Sequence, residues 1–322
     1  MSTMFTPATR TNVPLLLGFS GGTGSGKTFS AMRVAKGICG DKPFAVIDTE
    51  SGRARHYADQ FKFDHADIKA PFRPQTYLDA IVAAEQAGYP AVVVDSMSHV
   101  WAGEGGVLDW HEEALYRMAG DNYGKREACK FAAWIEPKRE HKKMVQRLLQ
   151  MRCHVILCFR AEPKIEIRKE DGKTKVVAKE SLTGLDGWQP ICDKMLPFEL
   201  TASFLLMADK PGVVRPIKLQ EQHRPFVSLE SPITEAVGAS LAEWARGGAA
   251  NQPQHQPPAL SFTPPEGWDA WGNEERGTYC ATLGTDALKS WWATLSAADR
   301  KALKPRLDGE WKSAAEASDR GE

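Results

Sequence analysis

The stretch GFSGGTGSGKT, residues 18–28, decides the fold of this chain. It follows the apolar run that begins at Pro14, and from Gly21 to Thr28 it matches the whole pattern GxxxxGK(S/T). Glycines let the backbone N–H groups of such a loop surround phosphate oxygens, while the lysine reaches the β- and γ-phosphates and the hydroxyl binds Mg²⁺. The flanking sequence predicts the strand before the loop and the helix after it that this chemistry requires. The stretch therefore predicts a nucleoside triphosphate site rather than a merely glycine-rich turn.

The same loop indicates which residues contact the nucleotide. Lys27 is the candidate catalytic cation, and Thr28 is a candidate Mg²⁺ ligand. We expect contacts with ATP from Gly21, Gly22, Thr23, Gly24, Ser25, Gly26, Lys27, Thr28 and Phe29.

Apolar runs alternate with helical patterns over the first 160 residues. After the run that precedes the loop, further buried strands are predicted at Phe44–Asp48, Ala91–Asp95 and His154–Phe159. Helices are predicted at Phe29–Ile38 and Gln75–Gly88, and a long helical insertion at 104–151. Nearly continuous apolar strands that alternate with helices are typical of a parallel sheet covered on both faces. The sequence thus predicts an α/β fold with a mainly parallel central sheet.

The pattern changes after Arg160. Two polar, strand-like runs, Lys164–Lys169 and Lys173–Lys179, flank Asp171 and Gly172, which is a strong signal for a β-hairpin. Strands at Ala202–Met207 and Val213–Leu219 and a closing helix at Ile233–Arg246 are expected to complete the core.

The division into domains follows from composition. We expect a disordered N-terminus at 1–11, a core at 12–247, a Gln/Pro-rich linker at 248–262 and a small helical tail at 263–322. Five of the ten tryptophans lie in the last 72 residues, and the apolar spacing there predicts a two-helix unit. The tail is interpreted either as a small extra core or as a module that recruits a protein partner.

Overall charge excludes some classes of function. The 41 Lys and Arg balance the 41 Asp and Glu, so neither a highly basic arm nor an acidic tail dominates. No apolar run approaches the roughly 20 residues of a membrane-spanning helix, and neither a signal peptide nor a CxxC pair occurs among the six scattered cysteines. We therefore expect a cytoplasmic protein with reduced thiols and no membrane partner.

Two acidic positions follow buried strands. Asp95 ends the apolar run AVVVD and is the favoured carboxylate for the Mg²⁺ shell, although Asp48 ends a strand as well and could compete. Hydrolysis also needs a group that orients or deprotonates water. Glu50, two residues past the second strand, could face the γ-phosphate if that strand lies beside the Asp95 strand; the alternative is a charge at the start of a helix.

The segments GGTGSGKT, VIDTE and AVVVDS, in this order and spacing, resemble the RecA-like ATPase core. More narrowly, they resemble phage-encoded AAA-domain nucleotide-binding proteins that include single-strand annealing recombinases. The resemblance covers about residues 12–247. It implies that Glu50 activates water and that Tyr57 stacks on adenine; packing of Tyr57 on the core is the alternative. Arg160 occupies the position where RecA has a glutamine that senses the γ-phosphate, and we count it as catalytic with Lys27, Glu50 and Asp95.

The resemblance also implies DNA-binding loops near Met118–Lys130 and at the hairpin. Residues 125–180 contain 16 Lys and Arg against 8 Asp and Glu, a net charge of +8, which suits a polyanion. A solvated helix face with an exposed hairpin is the alternative. Candidate nucleic-acid contacts are Lys125, Arg126, Lys130, Lys164, Arg168, Lys169, Lys173 and Lys175.

The leading hypothesis is a Mg²⁺-dependent ATPase that forms a homo-oligomer, a ring or a filament, on single-stranded DNA and promotes annealing or strand exchange. The alternatives are a helicase loader or packaging-type motor, a small-molecule phosphotransferase, and a nucleotide-gated scaffold.

Overall fold

The computed structural model describes residues 10–170, 173–178, 187–247, 261–295 and 297–320. Residues 1–249 and 250–322 form two compact units. Most of the N-terminal segment expected to be disordered, most of the expected linker, and the turn at Asp171 and Gly172 lie outside the described residues.

The larger unit is built on one mainly parallel sheet. The strands of the described residues are β1 (Leu16–Gly21), β2 (Phe44–Asp48), β3 (Phe63–Asp67), β4 (Ala91–Asp95), β5 (His154–Pro163), β6 (Ile165–Glu170), β7 (Lys173–Ala178), β8 (Trp188–Pro190), β9 (Ala202–Leu206) and β10 (Val214–Lys218). In the main sheet they run in the order β10-β9-β1-β5-β4-β2-β3, and β8 pairs with β5 beside this row. Every pair of this sheet is parallel except β9 with β10 and β5 with β8.

The helices of this unit are α1 (Lys27–Cys39), α2 (Pro74–Gln86), α3 (Ser98–Ala102), α4 (Val107–Ala119), α5 (Tyr123–Cys129), α6 (Ile135–Leu148), α7 (Leu196–Glu199) and α8 (Glu235–Arg246). Helices cover both faces of the sheet, which is why β1, β2 and β4 are buried at every position. Leu17 of β1 packs into the core beneath α1 and α8, while its neighbour Leu16 packs into the core beneath α2 and α6. The architecture confirms the predicted α/β fold.

Two glycines bring α1 and α8 into close contact. A Cβ added at Gly37 would lie 1.9 Å from the Glu235 carbonyl oxygen, and one at Gly238 would lie 2.1 Å from the Val34 carbonyl oxygen. Because α1 carries the end of the phosphate loop, this close packing fixes the helix that positions Lys27.

The predicted insertion and hairpin are both present. Helices α3 to α6 lie between β4 and β5, and β6 and β7 form a two-stranded antiparallel sheet. Two strands of the described sheet, β3 and the short β8, were missed by the sequence prediction. The strand β3 has the sequence FDHAD and pairs with β2 at the edge of the sheet, where polar residues are tolerated because one side of the strand is uncovered.

The smaller unit has more helices than the two that were predicted. Its helices are α9 (Asn273–Thr282), α10 (Thr285–Thr294), α11 (Ala297–Arg306) and α12 (Lys312–Arg320). They enclose a core of their own around Trp291 and Trp311, both 2% exposed. The two extra helices, α9 and α12, bury little besides Cys280 and alanine, so their apolar spacing is weak.

No helix in the described part of the chain is long and apolar enough to cross a membrane. All six cysteines are free thiols.

Candidate active site

The phosphate loop lies where β1 ends and α1 begins. Gly24 and Gly26 have φ angles of 77° and 84°, a left-handed conformation that glycine adopts without a steric penalty. Ser25 is 1% exposed, and its hydroxyl donates to the Gly22 carbonyl oxygen at 2.9 Å. The Ser25 side chain therefore holds the loop in shape, and only its backbone remains to contact a ligand.

The loop forms one wall of a cleft of about 720 Å³. The cleft brings together the predicted residues of the loop except Ser25, together with Phe29, Glu50, Tyr57, Asp95 and Arg160. Four further residues line it that the sequence prediction did not include: Arg53, His56, Ala161 and Ile191.

Strand order explains why distant residues meet here. The strand β5 lies between β1 and β4, with Arg160 beside Gly21 and Cys158 beside Asp95. The strand β2 pairs with β4 so that Asp48 lies beside Asp95. The sequence analysis expects Glu50, just past β2, to face the phosphates if β2 lies beside the Asp95 strand, and β2 does lie beside it.

Thr28 and Asp95 form a polar pair at the bottom of the cleft. The Thr28 hydroxyl donates to Oδ2 of Asp95 at 2.5 Å. Oδ1 of Asp95 is buried and has no hydrogen-bond partner among the described residues. Burial raises the pKa of Asp95, and the charges of Glu50 and Asp48 raise it further, while Thr28 and Lys27 act in the opposite direction. A buried, unpartnered carboxylate oxygen beside a hydroxyl fits Mg²⁺, which prefers oxygen ligands.

The competing carboxylate, Asp48, is already engaged by its own chain. Its oxygens accept hydrogen bonds from the backbone N–H groups of Glu50 at 2.5 Å and Ala54 at 2.8 Å. Nε2 of His65 lies 3.3 Å from the same carboxylate. Asp48 thus shapes the turn that carries Glu50, and of the two aspartates that end β2 and β4 it is Asp95 that lines the cleft.

Glu50 is held by two arginines. Arg160 donates from Nε and Nη2 to Oε1 of Glu50 at 3.0 and 2.8 Å, and Arg53 donates to Oε2 at 2.9 Å. Burial by itself would raise the pKa of Glu50, but the hydrogen bonds and charge of Arg160, helped by Lys27 and Arg53, lower it below its ordinary value. Glu50 is therefore an ionised carboxylate beside the phosphate loop.

The aromatic end of the cleft is formed by Phe29 and Tyr57, whose ring centroids lie 5.8 Å apart. Tyr57 also packs against the core beneath α1. The core packing that the sequence analysis gave as the alternative role of Tyr57 is thus present in the structure. The ring also lines the cleft, where a base could stack on it.

The predicted nucleic-acid cations are distributed over two surfaces. Arg126 pairs with Glu112 at 2.8 Å, Lys130 lies 3.7 Å from Glu127, and Lys164 pairs with Glu162. Arg168, Lys169, Lys173 and Lys175 lie on β6 and β7, of which the structure describes the backbone. Lys125 lies on α5 and has no ion pair within the described parts of the chain. The ion pairs of Arg126, Lys130 and Lys164 reduce the charge that these residues could offer to a phosphate.

Comparison with known proteins places the site in a family. The AAA-domain profile matches residues 17–203, which include the phosphate loop, Glu50, Asp95 and Arg160. No curated protein matches the chain. Among solved structures, a KaiC-like protein from the hyperthermophilic archaeon Pyrococcus horikoshii is similar, with a TM-score of 0.27 and 19% identity over 51% of this chain and 78% of that chain. Since the profile match covers more than half of the 322 residues, the chain belongs to the AAA-domain family of P-loop ATPases.

Proposed function

We propose that this ATPase acts on single-stranded DNA and promotes annealing or strand exchange in recombination, repair or replication. In this proposal Lys27 binds the β- and γ-phosphates, Thr28 and Asp95 hold Mg²⁺, and Glu50 accepts a proton from the attacking water. Mg²⁺, when bound, would neutralise charge that develops on the phosphate oxygens. Phe29 and Tyr57 are expected to flank the base.

The continuity of β5 carries the proposal. The strand contributes Arg160 to the cleft and then runs to Pro163, directly before the cationic hairpin of β6 and β7. The strand β8, which follows the hairpin, pairs with Ala161–Pro163, and the ring of Trp188 lies against Gly22 of the phosphate loop. A conformational change at the phosphate loop therefore needs to pass only through β5 or β8 to reach the hairpin.

The hairpin itself suits a polyanion. Its register pairs Arg168 with Lys175, so two cationic residue types occupy opposed positions. A sugar–phosphate backbone is a polyanion, and its binding to a hairpin that carries these residues would weaken as salt is added.

A second surface that supports the proposal is the helix α5. This helix buries none of its residues. Tyr123, its first residue, is 79% exposed, and Phe131, two residues past its end, is 86% exposed. Lys125 lies between them in the sequence. Exposed aromatic side chains next to cations are the combination on which successive bases of a single strand stack.

Stimulation of hydrolysis by DNA tests the proposal. We expect single-stranded oligonucleotides to raise the steady-state rate of Mg-ATP hydrolysis several-fold, with an effect that declines as salt increases. The double variant Tyr123→Ala/Phe131→Ala should lose most of the stimulation while it keeps the DNA-free rate. As a matched control, Leu149→Ala removes another side chain that is 50% exposed and should respond to DNA like the wild type.

Hydrolysis that is the same with and without oligonucleotides, from low to moderate salt, would contradict the proposal. A small-molecule phosphotransferase or a nucleotide-gated scaffold would then be the better interpretation. Stimulation by duplex DNA alone would favour a loader or motor.

We also propose that the chain assembles with copies of itself and that its tail recruits a protein partner. The smaller unit is compact, with its own tryptophan core, so it can bind a partner without unfolding. Sedimentation of the full chain with Mg²⁺ and a non-hydrolysable ATP analogue measures the assembly, and a monomer under all these conditions would contradict it.

A further inference from the structure

A second cavity, of about 510 Å³, lies beside α4 and shares no lining residue with the nucleotide cleft. We call it the α4 pocket. Its lining comes from the segment before α2, from one side of α4 and from the first turn of α6: Arg73, Trp110, Glu113, Tyr116, Arg117 and Glu136. A concave site of this volume, with aromatic rings and a few polar groups, is of the kind that binds a small organic ligand.

Two ion pairs connect the elements around the α4 pocket. Nη2 of Arg73 donates to Oε2 of Glu113 at 2.6 Å. Nη2 of Arg117 donates to Oε2 of Glu136 at 3.1 Å. Within the described residues these four side chains make no other hydrogen bond, and Nη1 of Arg73 is buried without a partner. Each arginine therefore keeps N–H groups, and each glutamate keeps an oxygen, that a ligand can engage.

Aromatic rings supply the flat surfaces of the α4 pocket. The guanidinium group of Arg73 lies over the ring of Trp110, with Cζ 4.6 Å from the ring centroid, and this contact fixes the arginine on the pocket wall. Tyr116 is 57% exposed. An exposed aromatic ring beside a cavity is a surface on which a planar ligand can stack.

The charges of the α4 pocket cancel, because two arginines face two glutamates. A neutral lining does not concentrate phosphate groups or metal cations, as a surface of one sign would. It suits a ligand that is uncharged and planar and that carries both donors and acceptors on its edge. A nucleobase has all of these properties, and proteins bind unpaired bases by stacking together with hydrogen bonds to the base edge.

Among the bases, guanine matches these side chains best. Its O6 and N7 are adjacent acceptors, and an arginine that donates to both is the commonest specific contact with this base. Its N1–H and 2-amino group are adjacent donors, which one carboxylate can accept. Adenine, cytosine and thymine lack this combination of an acceptor pair and a donor pair. The accessible partners are Arg117, which is 62% exposed, and Glu113, which is 49% exposed.

The α4 pocket adjoins the α5 surface on which a single strand is proposed to stack. The helix α4 ends at Ala119, and α5 begins at Tyr123. Arg126 of α5 pairs at 2.8 Å with Glu112, the residue before Glu113 on α4. A strand that lies along α5 therefore has the α4 pocket next to it.

We propose that the α4 pocket binds a guanine base of a single-stranded nucleic acid. The base stacks on Tyr116, accepts hydrogen bonds from Arg117 at O6 and N7, and donates to Glu113 from N1 and the 2-amino group. Arg73, held by Trp110, keeps the Glu113 carboxylate in place. The inference rests on the proposed function, which supplies the strand, and it adds a base preference to that function.

Binding of fluorescent oligonucleotides to the full chain, with Mg²⁺ and a non-hydrolysable ATP analogue, tests the proposal. The probes are an oligothymidylate of about 15 nucleotides and the same strand with one central guanine. We expect the guanine strand to bind about tenfold more tightly, the usual effect of one good paired contact with a base. A central deoxyinosine, which lacks the 2-amino group, and a central 7-deazaguanine, which lacks N7, should each lose several-fold of this preference.

Variants of the pocket show whether the preference arises there. Arg117→Gln and Glu113→Gln should each reduce it to about twofold or less, because each removes one of the two paired contacts. Glu112→Gln is the matched control. Glu112 lies next to Glu113 on α4, is 60% exposed and pairs with Arg126, but it does not line the pocket. Its variant should prefer the guanine strand as the wild type does.

Equal affinity of the wild-type chain for the two strands would overturn the inference, as would a guanine preference that survives in both pocket variants. Free guanosine monophosphate offers the same base without a strand. It should displace the guanine strand only at about millimolar concentration, and displacement at micromolar concentration would overturn the assignment to a strand.

The inference and the proposed function fail in different ways. A wild-type chain that neither binds single-stranded oligonucleotides nor hydrolyses Mg-ATP faster in their presence would refute both. A chain that single strands stimulate, but that does not distinguish guanine from thymine, would refute only the inference.

Discussion

Alanine at position 27 is expected to weaken the binding of Mg-ATP by about 100-fold and to reduce its hydrolysis to the same degree. Lys27 is the first residue of α1 and lines the cleft beside the glycines of the phosphate loop. Its ammonium group can donate to the β- and γ-phosphates, and a hydrogen bond to a charged group contributes up to about 3 kcal/mol. Since each 1.4 kcal/mol corresponds to tenfold in affinity, titration calorimetry with Mg-ATP should detect the loss directly.

The matched control for this prediction is Lys36→Ala. Lys36 lies in the last turn of the same helix, two and a half turns from the phosphate loop, and does not line the cleft. Both variants remove one lysine from α1, so a shared effect would reflect the helix rather than the site. A Lys27→Ala variant that unfolds like the wild type and still binds Mg-ATP with wild-type affinity would refute the assignment of the phosphate site.

Local sequence was sufficient to predict the centre of the fold. The phosphate loop is a continuous stretch whose glycines, lysine and threonine have one chemical purpose, and β2 and β4 are apolar at nearly every position because helices cover both faces of the sheet. Where packing is one-sided, the signal fails. The edge strand β3 is largely exposed, and α12 buries one alanine, so neither has an apolar pattern strong enough to be recognised.

The contacts within the candidate site could be predicted only in part. Glu50 and Arg160 are 110 residues apart, and their ion pair exists because β5 lies between β1 and β4, an order that no local pattern reveals. Arg53 and His56 line the cleft because the turn after Glu50 folds back on Asp48. A count of charged residues along the sequence likewise does not show that Arg126 forms an ion pair with Glu112. Only Arg160 is far from its partner in sequence; Asp48 and Glu112 lie within 14 residues of theirs, and the folded turn and the packing of two helices bring them together.

Glutamine at position 50 is expected to lower kcat for ATP hydrolysis by about 10² to 10⁴, the usual contribution of a positioned general base, and to leave the affinity for Mg-ATP within a few-fold of wild type. Glutamine has the shape of glutamate and keeps an oxygen that can accept from Arg160 or Arg53, so the cleft should retain its form. It cannot take a proton from water. Single-turnover hydrolysis measured together with equilibrium binding separates the two effects.

Loss of an ion-paired carboxylate could also slow turnover simply by weakening the fold, and Glu85→Gln controls for this. Glu85 is 14% exposed, pairs with Arg147 at 2.7 Å and has a pKa that its partners hold below the ordinary value against the effect of burial, yet it lies outside the cleft. Both variants remove a buried, paired charge, but only Glu50→Gln removes a carboxylate that faces the phosphates. Equal losses of turnover in the two variants would assign the effect to stability. Near-normal hydrolysis by Glu50→Gln would contradict the role proposed for Glu50, because other groups of the cleft would then have to orient the water.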